Sequence, residues 1–213
     1  MADPLAYDMP RALAYIESLQ RAPDRLVVEE IPDKTIRIQP TIGMIAAGLV
    51  DLLVRCGRTT RILDIGTSMG YSACVLGRAA RPQGGRVLSI EVDERIARVA
   101  RENIAAAGLA DTVEILVADA KAAIRELDGR FGLILQDGHK DDYLPMLERL
   151  IELLEPAGCL ISDDVLFPVM NLPVSAMGWA RAIDRYNQGL KSRSQLHTIW
   201  LPIGDGIAVS VKA

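Results

Sequence analysis

Short runs of β-branched and apolar residues alternate along this chain with stretches whose apolar positions recur at helical spacing. Residues 62–65, 87–90, 113–117, 131–135 and 159–162 are the runs, and each reads as a short buried strand. Between them, residues 71–80, 94–107, a short stretch ending near Leu127, and 144–154 read as helices; Ile96, Val99, Ala100 and Ile104 show the spacing most plainly. Pro82 with Gly84 and Gly85, then Gly108, then Pro156 with Gly158 close these helices. Such alternation predicts a parallel sheet flanked by helices, because parallel neighbours are joined by crossover segments.

The flanks of this pattern differ. Residues 10–20 carry Leu13, Ile16 and Leu19 along one side, which predicts a surface helix or one that packs on a partner subunit. Residues 21–39, with Pro23 and Pro32 and followed by Pro40, read as a connecting stretch. Residues 43–54 are apolar all round, predicting a buried helix that Gly57 ends as a C-cap. Near the C-terminus residues 179–190 read as a helix. Residues 197–202 and 207–211 then flank Gly204-Asp205-Gly206, a hairpin signal that brings an antiparallel strand to the far edge of the sheet.

Composition narrows the class. A chain of 213 residues suits one sizeable core, so residues 1–213 are read as a single domain with 1–40 as N-terminal helix and connection. The net charge of −4 offers no basic field for a phosphate backbone and disfavours nucleic acid as a partner. Cys56, Cys74 and Cys159 are scattered and odd in number, which fits reduced, buried thiols better than a disulfide framework or a zinc site. With no charged, apolar leader at Met1 and no apolar run of the roughly 18 residues a membrane span needs, a cytoplasmic protein is expected.

The first strand runs into Gly66-Thr-Ser-Met-Gly70 and then a helix, the layout of a nucleotide-type site with N–H groups facing a ligand. A dinucleotide fingerprint needs a second glycine where Ser68 stands, and that glycine is what lets a pyrophosphate approach. Glu91, at the end of the second strand, is placed to accept hydrogen bonds from ribose hydroxyls, and Asp119-Ala120 to edge a base; each acid can equally cap the helix that follows it. A sugar and base without phosphates point to S-adenosylmethionine. Four successive strands end in an acid, at Glu91, Asp119, Asp137 and Asp163-Asp164, on the edge where such sheets bind ligands.

Asp64-Ile-Gly-Thr-Ser-Met-Gly-Tyr-Ser72, Asp137-Gly-His-Lys-Asp-Asp-Tyr-Leu-Pro145, Leu160-Ile-Ser-Asp-Asp-Val165 and Pro202-Ile-Gly-Asp-Gly206 follow one another in order. From Gly43 to the C-terminus the chain resembles the metal-dependent O-methyltransferases, the family of catechol and caffeoyl-CoA O-methyltransferases. The resemblance implies a Rossmann-like class I methyltransferase, α/β, with a mostly parallel seven-stranded sheet, an antiparallel C-terminal hairpin strand and helices on both faces. It implies that Gly66, Ser72 and Glu91, with Asp64 and Thr67 of the same motif, hold S-adenosylmethionine. It further implies that Ala120 meets the adenine, that Ile38 lies against the cofactor by its backbone, and that His139 packs beside it.

Asp137, Asp163 and Asp164 would converge as an oxygen-only site suited to Mg²⁺, Mn²⁺ or Ca²⁺ rather than zinc. Consecutive acids reach one ion only if the chain leaves strand geometry there; the alternative is that one of them merely caps the loop before Phe167-Pro168. The family usually has Asn where this chain has Asp164, a change that keeps an oxygen and adds a charge. An isolated lysine in a charged run is ordinarily just solvated, but the Asp-x-x-Lys resemblance makes Lys140 the general base, with a pKa lowered by a nearby divalent ion. Asp137 would serve the metal and the cofactor's surroundings together. Mammalian catechol enzymes carry a glutamate where this chain has Pro202. Residues 166–178, with Pro168, Met170, Pro173 and Met177, are expected to wall an apolar acceptor pocket that Trp179 closes; these Met and Trp side chains can equally be plain core. The reading is a metal-dependent O-methyltransferase for a small phenolic acceptor, as a homodimer by resemblance. The alternatives are a tRNA hydroxyuridine O-methyltransferase of the same family, a non-catalytic S-adenosylmethionine-binding regulator, and a nicotinamide dehydrogenase.

Overall fold

The computed structural model describes residues 9–19, 26, 30–31 and 41–213. Helices α1 (Met9–Leu19) and α2 (Met44–Gly57) precede β1 (Arg61–Ile65), α3 (Tyr71–Ala80), β2 (Arg86–Glu91), α4 (Glu94–Ala106) and β3 (Val113–Val117). Then come α5 (Ala120–Glu126), β4 (Phe131–Gln136), α6 (Tyr143–Leu153), β5 (Leu154–Ser162), α7 (Met177–Lys191), β6 (Leu196–Leu201) and β7 (Ile207–Lys212).

The seven strands order as β3-β2-β1-β4-β5-β7-β6. β1 pairs in parallel with both β2 and β4, while β7 runs antiparallel between β5 and β6. The order therefore reverses at the β1/β4 boundary, the switch point where open α/β sheets bind ligands. Register makes the strand ends level: Ile65 stands beside Ile90 on one side and Gln136 on the other, and Gln136 stands beside Ser162. The residues that follow these strands consequently line up along one edge.

Alternation along each strand fills two cores. Leu63, Ile65 and Ile134 pack with α5, α6 and α7 through residues such as Ile124, Leu147 and Ile183. Ile62, Leu133 and Leu135 pack on the opposite face with Val50 of α2, Leu76 of α3 and Ile104 of α4. No helix among the described residues is long and apolar enough to cross a membrane.

Several expectations shift. Pro156 and Gly158 do not separate α6 from the next strand: β5 starts at once at Leu154 and takes both residues into an irregular first half, with a register break against Phe131 and Leu133. A bulged start tolerates a proline that donates no ladder bond. Gly57 is the last helical residue of α2, and Arg58, at φ 49°, makes the left-handed cap instead. Leu52 of that helix is exposed, so α2 is buried on one side rather than all round. Leu13, Ile16 and Leu19 of α1 are likewise exposed. Of the cysteines, only Cys74 is buried; Cys159 is half-buried and Cys56 is exposed on the last turn of α2. Most of the connecting stretch 21–39, including Ile38, lies outside the described residues.

Candidate active site

One cavity of about 870 Å³ opens along the level strand ends, a size suited to a small-molecule site. Gly66, Glu91, Asp119, Ala120, Asp137, His139, Lys140, Asp163 and Asp164, all expected in the site, line it. Asp64, Thr67 and Ser72 are not among its lining residues and form a buried layer under the glycine turn. There Asp64 Oδ2 accepts from Ser72 Oγ at 3.1 Å and from Ser89 Oγ at 2.7 Å, and Thr67 Oγ1 lies 2.6 Å from Ser89 Oγ.

The turn itself is set by backbone geometry. Gly66 has φ 100°, and its N–H donates to the Ile90 carbonyl. Ser68, where a dinucleotide fingerprint has glycine, also takes a left-handed φ of 46°. Its N–H donates to Glu91 Oε2 at 2.9 Å, while Glu91 Oε1 accepts from Asp93 N–H at 3.0 Å. Burial raises the Glu91 carboxyl above its ordinary value against those two donors. Burial pushes Asp64 up to about 7. Two buried oxygens of this region, Ser68 Oγ and Asp64 Oδ1, have no protein partner. Asp119 caps α5 through Ala122 N–H at 2.9 Å, the helix-capping alternative, and also lines the cavity.

Unpartnered acceptors are costly unless a ligand or water satisfies them. Eight of the described lining residues are Asp or Glu against a single lysine. A cavity of that sign, with the unpartnered Ser68 Oγ on its lining, fits a cationic nucleoside. S-adenosylmethionine carries a sulfonium, an ammonium and ribose hydroxyls, so the residues present fit it.

Across the switch point, β4 delivers Asp137 and β5 delivers Asp163-Asp164. Asp164 has φ 62°, so the chain leaves strand geometry there, as two consecutive acids facing one place require. Asp163 Oδ1 accepts from Asp164 N–H at 2.9 Å. Lys140 begins a short 3-10 turn, Lys140–Asp142, ahead of α6. Its Nζ lies 2.9 Å from Asp137 Oδ1, 2.5 Å from Asp164 Oδ2 and 3.1 Å from the Tyr143 hydroxyl. Burial by itself disfavours the ammonium, but Tyr143, Asp137 and Asp164 outweigh it and hold the group well above 10.5. The lowered lysine expected from the sequence is thus not what this arrangement gives, because the carboxylates act as counter-ions of the lysine itself. Burial raises Asp137 and Asp163, with neighbouring carboxylates adding to both.

Asp137, Asp163 and Asp164 are an all-oxygen donor set, which fits a hard divalent cation. Among the described residues no three acidic, His or Cys side chains stand as a ready metal cluster, and the Lys140 ammonium bridges two of the three acids.

Two further polar lining residues were not singled out from the sequence as site residues. Asp205 enters from the β6–β7 turn, and Ser68 from the glycine turn. Their signal was the motif each belongs to. Phe167, Leu172, Pro173 and Ala176 supply the apolar wall, whereas Met170 and Met177 are exposed and do not line the cavity. Trp179 does line it, with its ring edge-on to His139 at 6.3 Å. Tyr143, fully buried beneath Lys140, had only its three-residue spacing as a signal.

This sheet order, with a nucleoside site at the switch point and acids on the neighbouring strand ends, defines a Rossmann-like methyltransferase fold. The chain belongs to the O-methyltransferase family, whose model matches residues 21–213. It is 35% identical over 116 residues to a catechol O-methyltransferase of Mycobacterium tuberculosis, covering 54% of this chain and 52% of that protein, about half the relative's length. A caffeoyl-CoA O-methyltransferase of Stellaria longipes is 25% identical over 93% of this chain and 83% of its own. Among solved structures, the O-methyltransferase TomG of Streptomyces achromogenes, in complex with SAM, superimposes with a TM-score of 0.71 at 26% identity, over 81% of this chain and 82% of that one.

Proposed function

We propose that this chain transfers the sulfonium methyl group of S-adenosylmethionine to one hydroxyl of a small vicinal dihydroxy aromatic, with a divalent ion, Mg²⁺ by preference. The observation that carries this reading is the meeting of Lys140 Nζ with Asp137 and Asp164 in the cavity that the glycine turn also borders.

Asp137, Asp163 and Asp164 would hold the ion, whose positive charge makes a phenolic hydroxyl more acidic. A divalent cation on Asp137 and Asp164 would take away the counter-ions that hold Lys140 as the ammonium; Nζ would then give up its proton and, as the free amine, take the phenolic one. S-adenosylmethionine in the cavity would supply the methyl group: its carbon–sulfur bond would break as the phenolate oxygen bonds the methyl carbon, with S-adenosylhomocysteine as the leaving group. Phe167, Leu172 and Trp179 offer the aromatic ring an apolar wall and exclude water. Holding oxygen and methyl in a near-attack arrangement supplies much of the rate gain. The acidic lining favours the cationic cofactor and opposes a polyanion such as tRNA at the cavity mouth. A homodimer and a cytoplasmic location remain part of the proposal; the exposed Leu13, Ile16 and Leu19 of α1 support the former.

The deciding assay is methyl transfer from S-adenosylmethionine to a panel of catechols, with EDTA and with added Mg²⁺, for the wild type and Lys140→Met. Transfer that needs Mg²⁺ and falls at least about a hundredfold in Lys140→Met is the expected result. Transfer to unmodified-pathway tRNA with none to any catechol would overturn the acceptor assignment.

A further inference from the structure

We propose that Tyr143 is a positioning residue for Lys140, its hydroxyl fixing the nitrogen at the reacting position through a buried polar layer behind the site. This rests on the role given to Lys140 above.

Tyr143 has no exposed surface. Its hydroxyl donates to the Gln136 carbonyl at 3.0 Å, so its hydrogen is committed and its lone pairs face Lys140 Nζ at 3.1 Å. That same carbonyl accepts from Asp163 N–H at 3.1 Å. One backbone oxygen at the end of β4 therefore ties the phenol under Lys140 to the chain that carries the acidic pair.

The ring is also fixed. It lies edge-on to Tyr186 at 5.2 Å and 83°. Tyr186 in turn donates to Gln136 Oε1 at 3.0 Å and lies 2.6 Å from Ser162 Oγ. Tyr143, Gln136, Ser162 and Tyr186 are all fully buried. Burying this many polar groups is tolerable only when each is satisfied, and a satisfied network is rigid. Among these residues only Gln136, through its carbonyl, and Tyr143 touch the site's own groups, and Tyr143 alone meets the lysine. Asp137 Oδ1 at 2.9 Å and Asp164 Oδ2 at 2.5 Å hold Nζ from residues that line the cavity, whereas the Tyr143 hydroxyl, at 3.1 Å, belongs to a residue that does not line it. That third contact fixes the nitrogen from behind, and a lysine with four rotatable bonds needs it to stay in one rotamer when the carboxylates turn to another cation.

The alternative is that Tyr143 merely fills the core. Tyr143→Phe separates the two, because the ring stays and the Gln136 carbonyl keeps Asp163 N–H. With catechol as the acceptor, kcat is expected to fall about tenfold, while KM values for catechol and S-adenosylmethionine stay within about twofold and the melting temperature holds. In a Lys140→Met background the same change should cost nothing further, since the two residues act as one unit. Independently of any acceptor, ¹⁵N NMR of lysine side chains should show a slowly exchanging Lys140 signal, assigned by its loss in Lys140→Met, that Tyr143→Phe broadens away. An unchanged Lys140 signal, an unchanged kcat with a lowered melting temperature, or an equal loss in the Lys140→Met background would each overturn the proposal. Full turnover by Lys140→Met would instead refute the general base, leaving the NMR result to decide on Tyr143.

Discussion

Gly66 and Asp137 meet across the β1/β4 boundary so closely that a Cβ on residue 66 would lie 2.8 Å from the Asp137 carbonyl carbon and 3.1 Å from Gly138 Cα. The turn that borders the cofactor side and the strand end that carries the lysine's first carboxylate are thus packed backbone to backbone. Neither can shift without the other.

Gly66→Ala is the direct probe of that contact. It meets backbone that cannot rotate away, and it places a side chain at φ 100°. A loss of roughly 2–4 kcal/mol in unfolding free energy is expected, with weaker S-adenosylmethionine binding. Equilibrium denaturation and calorimetric titration measure the two; a variant as stable as the wild type would show that the turn yields.

Asp64 sets a pH dependence. Burial raises its carboxyl from 3.8 to about 7 in the fold. Between those values the native state holds a proton that the unfolded chain has lost, so this group's contribution to stability is greatest below about pH 4 and falls as pH rises to about 7. Asp64→Asn should therefore flatten the decline of urea midpoints over that interval. Parallel curves for the two proteins would place the titration elsewhere.

Asp164→Asn tests the third acid. An asparagine accepts the φ of 62° at least as well as an aspartate, and the change removes one charge facing Asp137 and Asp163. Mn²⁺ affinity, read by electron paramagnetic resonance, is expected to weaken about tenfold, as ligand charge tunes such sites. The melting temperature should hold or rise. Equal or tighter Mn²⁺ binding would remove Asp164 from the ligand set.

Trp179→Ala should raise KM for catechol about tenfold, near 1.4 kcal/mol of lost contact, with S-adenosylmethionine affinity unchanged. Trp179 lines the cavity beside His139, where the proposed function has it meet the acceptor ring. Weakened cofactor binding with an intact acceptor KM would reverse that assignment.

The strands and helices were legible because their signals are local. Periods of two and 3.6 separate β1 through β5 from the helices between them, with boundaries differing by a residue or two. β5 is the exception: Pro156 and Gly158 signal a break, but pairing with β4 draws them into a bulged strand, which local residues do not encode. The glycine turn and the acids at Glu91, Asp137, Asp163 and Asp164 were legible as well, since each lies at or within two residues of a strand end.

What the sequence by itself determined is the inventory: a glycine turn, a row of acids at strand ends, and a lysine three residues after one of them. Tertiary structure alone decided how these combine. Register levels Ile65, Gln136 and Ser162 and so brings Asp137 and Asp164 onto one ammonium, while Thr67 and Ser72 turn inward to Ser89 and Asp64. It also set the sign of the Lys140 shift and placed Tyr143 beneath it. Charges and hydrogen bonds act over a few ångströms in space, and residues far apart along a chain acquire those distances only when the sheet is assembled.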